Sequence, residues 1–159
     1  MIIDSLSHVT ADGKWFNTSH DASLDRLLRE MDAARVERSV VVALAGYIDN
    51  DFVFETCASS GGRLIPGASV NPCAHTTGEA AALEASQVLA GGDFPVLKLH
   101  PRLNGYDPLD ERCLAVLETV ASMQGEVRVW LDSIFRSGRC LLRKPPVDTV
   151  HTLLQTFQD

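Results

Sequence analysis

The chain has 159 residues, with 14 Lys and Arg against 21 Asp and Glu, a formal net charge of −7. At 45% hydrophobic and 22% charged residues it reads as one globular domain over residues 1–159, which excludes wholesale disorder and collagen-like repeats. The acidic balance argues against a nucleic-acid-binding surface, and no apolar run reaches the roughly 18 residues of a membrane span.

Residues 1–6 open with a short apolar run that predicts a strand. Met1-Ile2-Ile3-Asp4 lacks the basic start of a signal peptide, so a cytoplasmic protein is expected. Residues 11–20 are polar and read as a loop. Asp21 is placed to cap a helix in which Leu24, Leu27, Leu28 and Met31 recur at i, i+3, i+4 and i+7. The β-branched run over 39–45 predicts a strand buried on both faces. A helix over 50–60 follows, closed by Gly61-Gly62, and a third strand over 64–70.

Thr76 with Glu79 resembles a capping box ahead of a helix over 80–90, which Gly91-Gly92 ends. A fourth strand covers 95–99. Asp107-Pro108 reads as a helix start, with Leu109, Cys113, Val116, Leu117 and Val120 on the buried face out to about residue 123. A fifth strand covers 127–131. A basic loop and Pro145-Pro146 lead to a last helix through Val150, Leu153, Leu154 and Phe157. Five βα units in series imply parallel strands with right-handed crossovers. Two architectures fit: a partial (β/α)8 barrel, or an open doubly wound sheet. Cys57, Cys73, Cys113 and Cys140 have no C-x-x-C spacing and read as reduced thiols used as small buried hydrophobes.

Ile2-Ile3-Asp4-Ser5 at the start, Met31-Asp32-Ala33-Ala34 before a hydrophobic strand, and Leu97-Lys98-Leu99-His100-Pro101-Arg102 together resemble the amidohydrolase superfamily. The likeness is to its amidohydrolase-2 branch of metal-dependent TIM-barrel hydrolases and decarboxylases. It covers nearly the whole chain in order and the first five-eighths of the family's barrel. The resemblance implies a divalent metal, zinc, at the C-terminal mouth of the barrel. The family's first strand supplies an H-x-H pair; His8 matches its second member, and Leu6 stands where the first would be. Asp132 falls at the place of the metal-binding histidine that ends the family's fifth strand. His8 and Asp132 are therefore the inherited ligand candidates, and little or no stoichiometric zinc is expected from two of them.

Residues two apart on a strand share a face, so Val96, Lys98 and His100 project one way and Leu97 and Leu99 the other. In the functional reading Lys98 binds a substrate carboxylate, His100 moves a proton, and Asp132 is ligand or general base. In the structural reading Lys98 and Asp132 form an ion pair and His100 faces solvent. Arg102 joins Lys98 as a substrate-binding candidate. Arg136, Arg139, Arg143 and Lys144, with no acid between Ser133 and Val147, either attract an anionic substrate or form an exposed basic loop. Trp15 and Phe16 either line the pocket or plug the barrel end. There is no G-x-S-x-G elbow, Walker loop or G-x-G-x-x-G, which disfavours a flavodoxin-like phosphate-binding module.

The resemblance thus implies a hydrolase, or a related decarboxylase, acting on a small carboxylate-bearing molecule. The alternative is a non-catalytic half-barrel that self-associates or binds a ligand. Open first and fifth strands predict a homo-oligomer.

Overall fold

A computed structural model describes residues 1–123, 126–133, 142 and 144–157. Its strands are β1 (Ile3–Ser7), β2 (Arg38–Val42), β3 (Leu64–Val70), β4 (Val96–Leu99) and β5 (Arg128–Leu131). The helices are α1 (Leu24–Ala34), α2 (Asn50–Ala58), α3 (Gly78–Ala90), α4 (Pro101–Asn104), α5 (Glu111–Ala121) and α6 (Pro146–Thr156), with a 3₁₀ turn at Pro72–Ala74. All strand pairs are parallel and the order in the sheet is β1-β2-β3-β4-β5. A doubly wound sheet reverses its strand order at a switch point. This sheet does not, so the architecture is the curled half-barrel and the open-sheet alternative falls.

Alternation sorts the side chains. Val41, Ala43 and Leu64 pack against the α1 and α2 side, and Ala68, Val70, Leu97 and Leu99 against α3 and α5. Val40, Val42 and Val96 lie on the opposite, concave face with Ile65 and Trp130. Val42, Gly67 and Val96 are in register across β2, β3 and β4. A Cβ on Gly67 would sit 2.9 Å from Val42 Cγ2, so only glycine lets the curved strands approach there. The β1–β2 register slips between Asp4 and Ser7, where three steps on β1 match two on β2. Asp4 holds this bulge: one carboxylate oxygen accepts from the Leu6 amide at 3.2 Å, the other from the Ser7 and Ser39 hydroxyls.

Several helix starts differ from expectation. Ser23, not Asp21, caps α1, accepting from the Arg26 amide; Asp21 instead folds back onto the Ser23 amide. Thr77, not Thr76, caps α3. Asp107-Pro108 forms a turn, and α5 begins three residues later, capped by Asp110. Leu154 does not face the core but is 63% exposed, while Leu153 is buried. Cys57, Cys73 and Cys113 are free thiols. Among the described residues, no helix is long and apolar enough to cross a membrane.

Candidate functional site

Three strands end in polar residues that meet at one end of the sheet. His8 follows β1, His100 follows β4 and Asp132 follows β5, while Lys98 lies one residue inside the end of β4. The parallel register forces this: Asp132 donates its amide to the Leu99 carbonyl at 3.0 Å, which places it beside His100. His100 Nδ1 is 2.8 Å from Asp132 Oδ2, and Arg102 Nη2 is 3.4 Å from the same oxygen. The His100 contact is a close approach without the alignment of a hydrogen bond. Pro101 at the first position of α4 fixes the turn that carries Arg102 back over Asp132.

Lys98 is only 9% exposed, on the face it shares with Val96. Burial lowers its pKa and the Arg102 charge lowers it further, while Asp132 opposes both. The structure therefore corrects a simple Lys98–Asp132 pair: His100 and Arg102 hold the carboxylate at short range, and Lys98 senses it electrostatically. Nor does His100 face solvent; its side chain is largely buried.

The two histidines are held neutral for related reasons. Burial is the main cause of the lowered His100 pKa, and the charges of Lys98, Arg102 and His8 add to it against the pull of Asp132. Burial also lowers His8, with Lys98 contributing. His8 Nδ1 lies 2.7 Å from the Val42 carbonyl oxygen. A carbonyl can only accept, so Nδ1 carries the proton and Nε2 presents a lone pair. Such an anchor fixes the tautomer and ring of a histidine that ligates or accepts a proton through its other nitrogen.

Trp15 stacks over His8 with ring centroids 5.5 Å apart, and an aromatic chain continues through Phe16 and Tyr47. Leu6 is 44% exposed and offers no donor. Arg136, Arg139 and Arg143 lie outside the described residues, as does Cys140; Lys144 donates to the Thr152 hydroxyl at 3.3 Å.

A metal can be tested against this donor set. His8 Nε2 suits a divalent ion, but Asp132 is already held by His100 and Arg102, and Lys98 adds a second cation nearby. A catalytic zinc needs three protein ligands. Among the described residues no group of three or more His, Cys, Asp or Glu converges, so these residues alone do not fit a metal centre. What they do bring together is two cations, buried Lys98 and half-exposed Arg102, with neutral His100 beside Asp132 and the His8 lone pair.

No family model and no curated protein sequence matches the chain. Solved structures do, at the level of fold. A probable 2-pyrone-4,6-dicarboxylic acid hydrolase from Acinetobacter baumannii, with citric acid bound, superposes with a TM-score of 0.51 at 19% identity, over 82% of this chain and 48% of that one. A 5-carboxyvanillate decarboxylase from Novosphingobium aromaticivorans, complexed with manganese and 4-hydroxy-3-methoxy-5-nitrobenzoic acid, gives 0.63 at 12% identity, over 82% and 49%. A mutant of that decarboxylase, also with bound manganese, gives 0.62 at 13% identity, over 82% and 50%. These neighbours are amidohydrolase-2 enzymes, the family the sequence resembles. The chain spans about half the length of each and shares their barrel fold.

Proposed function

We propose that this chain carries part of an amidohydrolase-type site that acts on a small carboxylate-bearing molecule, as a hydrolase or a related decarboxylase. The observation that carries the reading is Lys98, a buried lysine at the mouth of the half-barrel beside the His100–Asp132 pair. A buried cation is costly unless something needs its charge. In this reading Lys98 and Arg102 bind the substrate carboxylate and Trp15 lines the pocket over His8. His100, neutral near pH 7, transfers a proton while Asp132 orients its ring and stabilises the imidazolium that forms. Arg136 and Arg139 draw the anion in. The carboxylic acid ligands of the neighbouring structures favour this class of substrate. Zinc, the metal the resemblance implies, is not required for the anion-binding step.

The second reading, a half-barrel that binds a ligand without turnover, is favoured by the donor set: among the described residues no three His, Cys, Asp or Glu converge, where a catalytic centre needs three ligands. Calorimetry with isophthalate tests the shared part of both. Wild type is expected to bind it, and Lys98→Met to lose about tenfold or more in affinity. Equal binding by the two proteins would overturn the reading. Turnover of an aromatic carboxylic acid by wild type, lost in Asp132→Asn, separates enzyme from binding module.

A further inference from the structure

The first loop also borders a cleft of different chemistry. A cleft of about 410 Å³ opens between the β1–α1 and β2–α2 loops. Phe16, Tyr47 and Phe52 line it, together with Asp12, Asp49 and Lys14. The Phe16 and Tyr47 rings are 5.3 Å apart and meet edge-to-face at 83°, which makes an aromatic corner. Both rings are substantially exposed, at 42% and 51%. Phe16 also has a φ of 48°, a left-handed backbone that a phenylalanine adopts at a cost. The chain thus strains its backbone to hold an exposed ring in that corner.

The charge at the rim points the same way. Asp49 is the N-cap residue of α2, the position where an aspartate normally accepts from the first turn of the helix, yet its side chain makes no cap hydrogen bond. Asp49 is exposed and lines the cleft. Asp12 accepts from the Lys14 amide and is offset by the Lys14 charge, so Asp49 sets the sign. An aromatic corner with a carboxylate alongside suits a weakly hydrated cation, because the ring quadrupoles attract it and such a cation gives up its water at small cost.

We propose that the Phe16–Tyr47 corner, in the cleft that Phe52 and Asp49 also line, is a binding site for a small organic ammonium ion, separate from the anion site at Lys98. The reading is independent of the proposed activity, since none of these residues belongs to the His100–Asp132 group.

Calorimetric titration of the full chain with choline, and with its uncharged isostere 3,3-dimethyl-1-butanol, tests it. Choline is expected to bind at least about fivefold more tightly than the isostere, and Tyr47→Ala and Asp49→Asn are each expected to weaken choline by about five- to tenfold. Thermal melts of the variants, whose altered side chains are exposed, check that the fold is kept. Equal affinity for choline and the isostere, or no loss in either folded variant, would overturn the proposal. So would an absence of binding at 50 mM choline, or co-sedimentation with phosphatidylcholine vesicles without binding of free choline.

Discussion

Lys98 shows how a single residue separates stability from function. It lies in a strand otherwise filled by Val96, Leu97 and Leu99, and desolvation works against its charge. Lys98→Met keeps the volume and removes the charge, so it is expected to raise the melting temperature, by the equivalent of about 1–2 kcal/mol, while it weakens anion binding. A lower melting temperature in that variant would show that the lysine is structural. The histidines give a pH signature. Both His8 and His100 have folded-state pKa values below the 6.5 of the unfolded chain. The unfolded chain therefore takes up protons that the folded chain refuses, and stability is expected to fall as pH drops below 6.5. Melting scans from pH 7.5 to 5 check this, and His100→Gln should flatten the decline. Asp110 acts in the opposite region of the scale. The Arg112 guanidinium holds its pKa down to about 2, and it also caps α5. Its contribution is present above the ordinary value of 3.8 and is lost as pH falls toward 2. Asp110→Ala is expected to cost about 1–2 kcal/mol in denaturant unfolding at pH 7.

At the scale of elements, the strands were more legible than the caps. β3 occupies residues 64–70 as expected, and β2 starts within a residue of the β-branched run over 39–45, because a parallel strand buried on both faces leaves a continuous hydrophobic stretch. Caps depend on which of several short polar residues reaches a free amide. Asp21, Thr76 and Asp107 each sit one to three residues before the true cap, and tertiary geometry chose Ser23, Thr77 and Asp110. α4 was missed because a four-residue helix leaves no periodicity to read. Alternation did place Lys98 opposite Leu97 and Leu99. What it did not reveal was the partner of Asp132, which is fixed by His100 turning back at Pro101. Gly67 gives the element-scale test of curvature. Gly67→Ala forces a contact with Val42 and is expected to cost about 1–3 kcal/mol, measured by chemical unfolding. An unchanged stability would mean that β2 and β3 are less tightly curled than described.

At the scale of the whole molecule, the sequential strand order leaves β1 and β5 as the two edges of the sheet among the described residues. β1 exposes Ile3 and Leu6, and Ile2 beside it is also exposed. An unpaired apolar edge invites a second chain. Light scattering is expected to give a mass above the 17.3 kDa of one chain, and a monodisperse monomer at high concentration would contradict that. The same curl brings the ends of β1, β4 and β5 together, and it is this convergence, not any one residue, that the functional reading needs. NMR titration of the His8 and His100 ring resonances, in wild type and Lys98→Met, tests it most directly. Both imidazoles are expected to titrate below 6.5, and both pKa values to rise when the Lys98 charge is removed. Ordinary values that do not respond to Lys98 would show that the three strand ends do not form one site.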